Sequence, residues 1–184
     1  MQHQPDKIKV LITSAGTASA ISVIKALKKQ TQLPVEIYAT DMDPLAAGLY
    51  LADHFFISPA AKSSDYILFL LDKIKQLSIV AVIPIYSEEI SLVALHAEKF
   101  KQLGAGTFLP DSKVINLCND KKAIVEKMKY SGIMFPKQYS TPSEVPDNCF
   151  PVFFKPNFSS SSRGSHVVGS FADLQRYFGA CPDG

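Results

Sequence analysis

The chain has 184 residues, of which 47% are hydrophobic and 20% charged, with 19 Lys and Arg against 17 Asp and Glu for a formal net charge of +2. That length holds one full domain, or one domain and part of another; the near-balanced charge argues against a dedicated nucleic-acid binder, and the apolar content against a disordered chain. Three widely spaced cysteines (Cys118, Cys149, Cys181) without a C-x-x-C pair argue against a disulfide framework and a structural zinc site. No run reaches the roughly 18 apolar residues of a membrane span, and Met1 to Lys7 is too polar for a secretory signal, so a soluble cytoplasmic protein is expected.

Lys7 to Thr13 reads as a buried strand rich in β-branched residues, followed by a turn with Ser14 and Gly16. Ala18 to Lys29 reads as a helix, with Ile21, Ile24 and Leu27 at helical spacing and Lys25, Lys28 and Lys29 near its C-terminus. Val35 to Ala39 and His54 to Ile57 are further strands. Ser63, Ser64 and Asp65 start a helix that runs to Leu77. Ile79 to Ile83 is a continuous apolar strand of the kind buried on both faces. Ser87, Glu88 and Glu89 open another helix that carries Ile90, Val93, Ala97 and Phe100 inward. This alternation predicts βαβ units, a parallel sheet and a Rossmann-like α/β domain ending near Leu109.

Pro110 and Asp111 mark a boundary before a short helix with Val114, Ile115 and Leu117. Asp120 caps a second helix running to Ser131-Gly132-Ile133, with Gly132 in the left-handed position beyond its end and Pro136 shortly after. Thr141 to Asn148 is a loop. Phe150 to Lys155 is an apolar strand ending on a lysine, Phe158 to Ser165 a loop of small residues, and His166 to Val168 extended again. Ser170 caps a last helix with Phe171, Leu174 and Phe178 inward.

Two places could carry chemistry. The turn Thr13 to Ala18 lies between a strand and a helix N-terminus, where free backbone N–H groups suit an anion. A dinucleotide fingerprint needs three glycines there and only Gly16 is present, so the turn also reads as a plain α/β connection. Asp41, after the second strand, reads as a turn residue or as a ribose-binding acid. The second place has more parts. Asp120-Lys121 opens a helix, and about 34 residues later Lys155 finishes an apolar strand, followed by Ser159, Ser160, Ser161, Ser162, Arg163 and Gly164. A lysine on such a strand is costly unless its ammonium meets an anion or water, and a small-residue loop can close over a polyphosphate.

With these residues in order, the sequence resembles the ATP-grasp ligases, in particular the branch of the carbamoyl-phosphate synthase large subunit and its carboxylate–amine ligase relatives. VLITSAGTASAISVIKAL, VEIYATDMDP and Ala52-Asp53 resemble that branch's leading domain. Asp120-Lys121 with Gly132-Ile133 and Pro136 resembles the D-K…G-I-x-x-P signature. Pro151 to Pro156, Arg163-Gly164 and Val167-Val168 resemble the P-x-x-x-K-P…R-G…V-V segment. The resemblance implies a Rossmann-like leading domain over 1–110 and the start of an ATP-grasp domain over 111–184. It implies ATP and Mg2+ as cofactors, Lys121 and Lys155 on the ATP phosphates, and Ser159 to Ser162, Arg163 and Gly164 covering the triphosphate.

The implied reaction activates a carboxylate as an acyl phosphate for attack by an amine. Both substrates are small molecules, and a homodimer is compatible with the apolar faces left over. Ser14, Gly16, Ser87 and Glu88, on loops at the carboxyl ends of the strands, are candidates for seating the non-nucleotide substrate; Glu88 also reads as a first-turn helix acid. Serines fill places where the family has glycines, at a steric cost if any of them takes φ > 0. The family's magnesium ligands lie further along than Gly184, so the chain is expected to be the leading portion of a larger enzyme and inactive alone. A dinucleotide-dependent oxidoreductase or epimerase and a non-catalytic interaction module are the alternative readings.

Overall fold

Strand β1 (Ile8–Ile12) stands inside a parallel sheet ordered β3-β2-β1-β4, with β2 at Val35–Asp41, β3 at His54–Ile57 and β4 at Ala81–Ile83. The computed structural model describes residues 7–159 and 162–181. These fall into two compact units that divide between Ser112 and Lys113.

In the first unit, the chain starts in the middle of the sheet, moves outward through β2 to β3, and returns to the other side of β1 as β4. Because side chains alternate along a strand, each strand serves two cores. Val10, Ile12, Ile37 and Ala39 pack with Ala20 and Ile24 of α1 (Ala18–Lys29) on one face. Leu11, Tyr38 and Val82 pack on the other face with Ile67, Leu70 and Ile74 of α2 (Tyr66–Leu77), Val93 of α3 (Ser87–Leu95) and Phe100 of α4 (Ala97–Gln102). Each fully buried Leu or Ile contributes about 1.5–3 kcal/mol, so this double core is the chief support of the expected Rossmann-like arrangement.

Three details depart from the sequence reading. The apolar run 79–83 is a strand only at Ala81–Ile83, and Val80 is 46% exposed. The outer side of β4 is joined by Gly106, whose N–H donates to Val80 O (2.9 Å) and whose carbonyl accepts from Val82 N (2.8 Å). The expected single helix from Ser87 breaks at His96 into α3 and α4, and Glu89, not Ile90, takes the buried position. Gly48 was not singled out, yet a Cβ there would lie 2.1 Å from the carbonyl oxygen of Ala15.

The second unit begins with most of α5 (Ser112–Asn119), followed by α6 (Lys121–Met128). Asp120 caps α6 as expected, accepting from Ala123 N at 2.9 Å, but the helix stops at Met128 and Gly132 (φ +72°) sits in the turns beyond. The loop 141–148 contains 3-10 turns at Pro142–Glu144 and Asp147–Cys149. The expected strand 150–155 is extended only at β5 (Val152–Phe154), which pairs antiparallel with β6 (His166–Val168). Behind this ribbon, α7 (Phe171–Ala180) buries Leu174 against Val145, Phe154 and Val168. Ser170 caps α7, accepting from Asp173 N at 3.2 Å; Phe171, read as inward, is exposed.

Candidate functional site

The strand order changes direction between β1 and β4, and in open α/β sheets that switch point is where ligands bind. Here the turn after β1 uses its own N–H groups. Ala15 N donates to Thr40 O (3.1 Å), Thr17 N to Ser14 O (3.0 Å) and Gly16 N to Asp41 Oδ2 (2.7 Å). The other Asp41 oxygen accepts from Asp43 N at 3.0 Å. The N–H groups of Ala15, Gly16 and Thr17 are therefore engaged within the chain, and Asp41 is a turn residue of this connection.

The second loop at the switch point is closed in the same way by Glu89, which the sequence reading passed over in favour of Glu88. Glu89 is 1% exposed and accepts from Thr13 Oγ1 (2.5 Å), Tyr66 OH (2.5 Å), Ile85 N (2.8 Å) and Tyr86 N (2.9 Å). Burial, and then the charge of Glu89, push the Tyr66 hydroxyl pKa far above its ordinary value, so Tyr66 stays a donor. One signal could have revealed Glu89: it stands four residues before Val93 and eleven before Phe100, on the helix stripe that enters the core. Among the earlier candidates, Glu88 faces Lys62 at 3.2 Å, Ser87 is exposed, Ser14 is half-buried with φ +49°, and the Gly16 N–H is taken.

In the second unit Lys121 and Lys155 line the same cavity. Lys121 Nζ donates to Asn157 O (2.7 Å), Ser159 O (3.1 Å) and Ser159 Oγ (3.2 Å), all uncharged acceptors. Burial lowers the pKa of Lys121, and the positive charge of Lys155 lowers it further. Among the described residues neither lysine is paired with a carboxylate. Two neighbouring cations without a counter-ion make a niche for an anion. Beside them, Phe153 of β5 and Val167 of β6 are register partners and so share one face of the ribbon. They are 63% and 73% exposed, an apolar platform facing outward. A cavity of about 560 Å³ reaches Lys121, Lys155, Phe153 and Asn157, with Val125 and Phe135 on its apolar side.

The loop after β5 is described in part. Ser160 and Ser161 lie outside the described residues; Ser159 is half-buried, and Ser162, Arg163 and Gly164 are exposed. Ser162 takes φ +57°, so one of the serines standing in place of glycine does carry the left-handed cost, about 1–2 kcal/mol. Gly164 has φ +71°, and a Cβ there would meet Pro156 Cγ at 2.9 Å. Asn157, which no local sequence pattern marks, ties this region together through Asp120 and Lys122. Among the described residues no three His, Cys, Asp or Glu side chains gather where they could hold a metal ion. No helix among them is long and apolar enough to cross a membrane.

Solved structures share this fold. The biotin carboxylase domain of 2-oxoglutarate carboxylase from Hydrogenobacter thermophilus, a dimer in complex with MgADP, ADP and bicarbonate, superposes with a TM-score of 0.68 at 20% identity, over 97% of this chain and 41% of that one. N5-carboxyaminoimidazole ribonucleotide synthetase from Thermotoga maritima gives 0.61 at 16% identity, over 91% and 42%. The Staphylococcus aureus N5-carboxyaminoimidazole synthetase complexed with ADP gives 0.62 at 16%, over 94% and 44%. The chain thus spans about two fifths of the length of these structures. No curated protein matches it in sequence. The expected α/β fold with a Rossmann-like parallel sheet is the one these proteins share with it. Residues 10–108, which hold all of the parallel sheet but the first two residues of β1, match the model of the PylC-like N-terminal domain, and the chain belongs to that family.

Proposed function

We propose that the chain supplies the phosphate-gripping half of the nucleotide site of an ATP-dependent carboxylate–amine ligase, with residues 1–110 as its leading domain and 111–184 as the start of its ATP-grasp domain. One observation carries this reading: Lys121 and Lys155 line one cavity, neither has a carboxylate partner among the described residues, and the exposed apolar pair of Phe153 and Val167 adjoins Lys155 on the ribbon. A nucleoside triphosphate matches both features, its phosphates meeting the ammonium groups and its base the platform. In the reaction, a carboxylate oxygen attacks the γ-phosphorus, ADP leaves, and an acyl phosphate forms. An amine then attacks the acyl carbon and phosphate leaves. The work of the two lysines is to offset charge that builds on the phosphoryl oxygens, the largest share of catalysis in phosphoryl transfer.

Ser159, Ser160, Ser161, Ser162, Arg163 and Gly164 are proposed to cover the phosphates. Magnesium, when bound in such an enzyme, would supply further positive charge to the phosphates. On the substrate side, Ser14 and Ser87 are the better candidates, since the Gly16 N–H and the Glu88 carboxylate already have partners. A carbamoyl-phosphate synthase-like choice of substrates, a homodimer and a cytoplasmic setting complete the proposal; the three free thiols fit a reducing compartment. The test is ADP release by the whole protein with candidate carboxylates and amines. Lys155→Ala should lower ATP-dependent turnover by about a hundredfold or more, and an unaffected Lys155→Ala protein would refute the role of that lysine.

A further inference from the structure

We propose that Asn157 is a positioning residue for Lys121, fixing the two carbonyls that seat its ammonium group. The inference rests on the reading of Lys121 as a phosphate contact. Asn157 is 8% exposed, and both ends of its amide are engaged. Its Nδ2 donates to Asp120 Oδ1 at 3.0 Å, and its Oδ1 accepts from Lys122 N at 2.8 Å. The side chain thus clamps the first turn of α6 from both sides of Lys121. The same residue's backbone carbonyl accepts from Lys121 Nζ at 2.7 Å, with the carbonyl and hydroxyl of Ser159 completing the seat.

A lysine has four rotatable side-chain bonds and no shape of its own. Held between residues 157 and 159 at one end and its own helix turn at the other, Lys121 keeps one position beside Lys155. A helix cap alone does not require this arrangement, because Asp120 already caps α6 through Ala123 N. The amide of Asn157 adds something different: it couples the start of α6 to the segment after β5, so that Lys121 is placed by one hydrogen-bonded unit spanning both.

The test uses the 184-residue chain with isotope-labelled lysine, following the titration of Lys121 by NMR and its affinity for inorganic tripolyphosphate and for ATP. In the wild type Lys121 should titrate below the exposed lysines. In Asn157→Ala its midpoint should rise towards theirs as the seat opens to water, and tripolyphosphate affinity should fall by about tenfold. In a Lys121→Ala background the same substitution should have no further effect on affinity. Asn157→Ser, which keeps an acceptor for Lys122 N, should fall between. An unmoved Lys121 midpoint in folded Asn157→Ala, an equal affinity loss in both backgrounds, or loss of the α7 and β5–β6 signals in both variants would overturn the proposal. If the midpoint moves as expected while neither polyphosphate binds the wild type, the positioning role stands and the phosphate reading of Lys121 fails.

Discussion

Glu89 and Glu88 are adjacent and chemically alike, yet one is buried with four donors and the other lies at the surface beside Lys62. Removing the first leaves two buried hydroxyls and two backbone N–H groups without their acceptor. Glu89→Ala should therefore cost about 3 kcal/mol or more in urea denaturation, whereas Glu88→Ala should stay within about 0.5 kcal/mol. A second residue-scale prediction concerns pH. The N–H of Ala123, and then the amide of Asn157, hold the Asp120 carboxyl below the ordinary carboxylate range. A carboxyl with a lowered folded pKa stabilises the fold above its unfolded pKa and loses that contribution as pH falls through the folded value. Stability should thus decline in acid, and Asp120→Asn should flatten that decline in urea titrations run between neutral pH and pH 3.

At the scale of elements, α2 ends on Ser78, which adopts φ +54° while its N–H closes the helix on Ile74 O. That is the position where glycine is favoured, and the serine is exposed. Ser78→Gly should raise stability by about 0.5–1 kcal/mol, measurable as a higher urea midpoint. The two sheets should also differ in hydrogen exchange. β1 is paired on both sides and covered on both faces, whereas β5 and β6 are a three-residue ribbon with Phe153 and Val167 exposed. Amides of β5 and β6 should exchange through smaller openings than those of β1 and β2. Protection in β5 and β6 equal to that in β1 would contradict this.

Why some elements were legible in the sequence follows from the same physics. The run Ala18–Lys29 carries its own helical period, and the helix spans those residues, with Thr17 just before it accepting from Ala20 N. The strands of the double core announce themselves by their β-branched runs. The break at His96, the early end of α6 at Met128 and the exposure of Val80 leave no local mark, because each is decided by what packs alongside.

For the molecule as a whole, the parallel sheet and the pair of lysines could be read from the order of the residues, because strand–helix alternation and a lysine ending an apolar strand are local patterns. The chemistry of the switch point could not. Whether the turn after β1 offers its N–H groups depends on Asp41, which is distant in sequence and arrives only when β2 pairs with β1. Asn157 was equally hidden, since its partners Asp120 and Lys122 lie on another element. The central claim is that the nucleotide site belongs to Lys121 and Lys155 and not to the turn after β1. Chemical-shift mapping of the isotope-labelled chain, titrated with magnesium and ATP and separately with NAD(H), tests it most directly. The expected result is weak binding of ATP, with shifts at Lys121, Lys155, Phe153 and Val167, no movement in Ser14 to Thr17, and loss of the response in Lys155→Ala. Shifts at Ser14 to Thr17 with either nucleotide, while the two lysines stay unmoved, would contradict it.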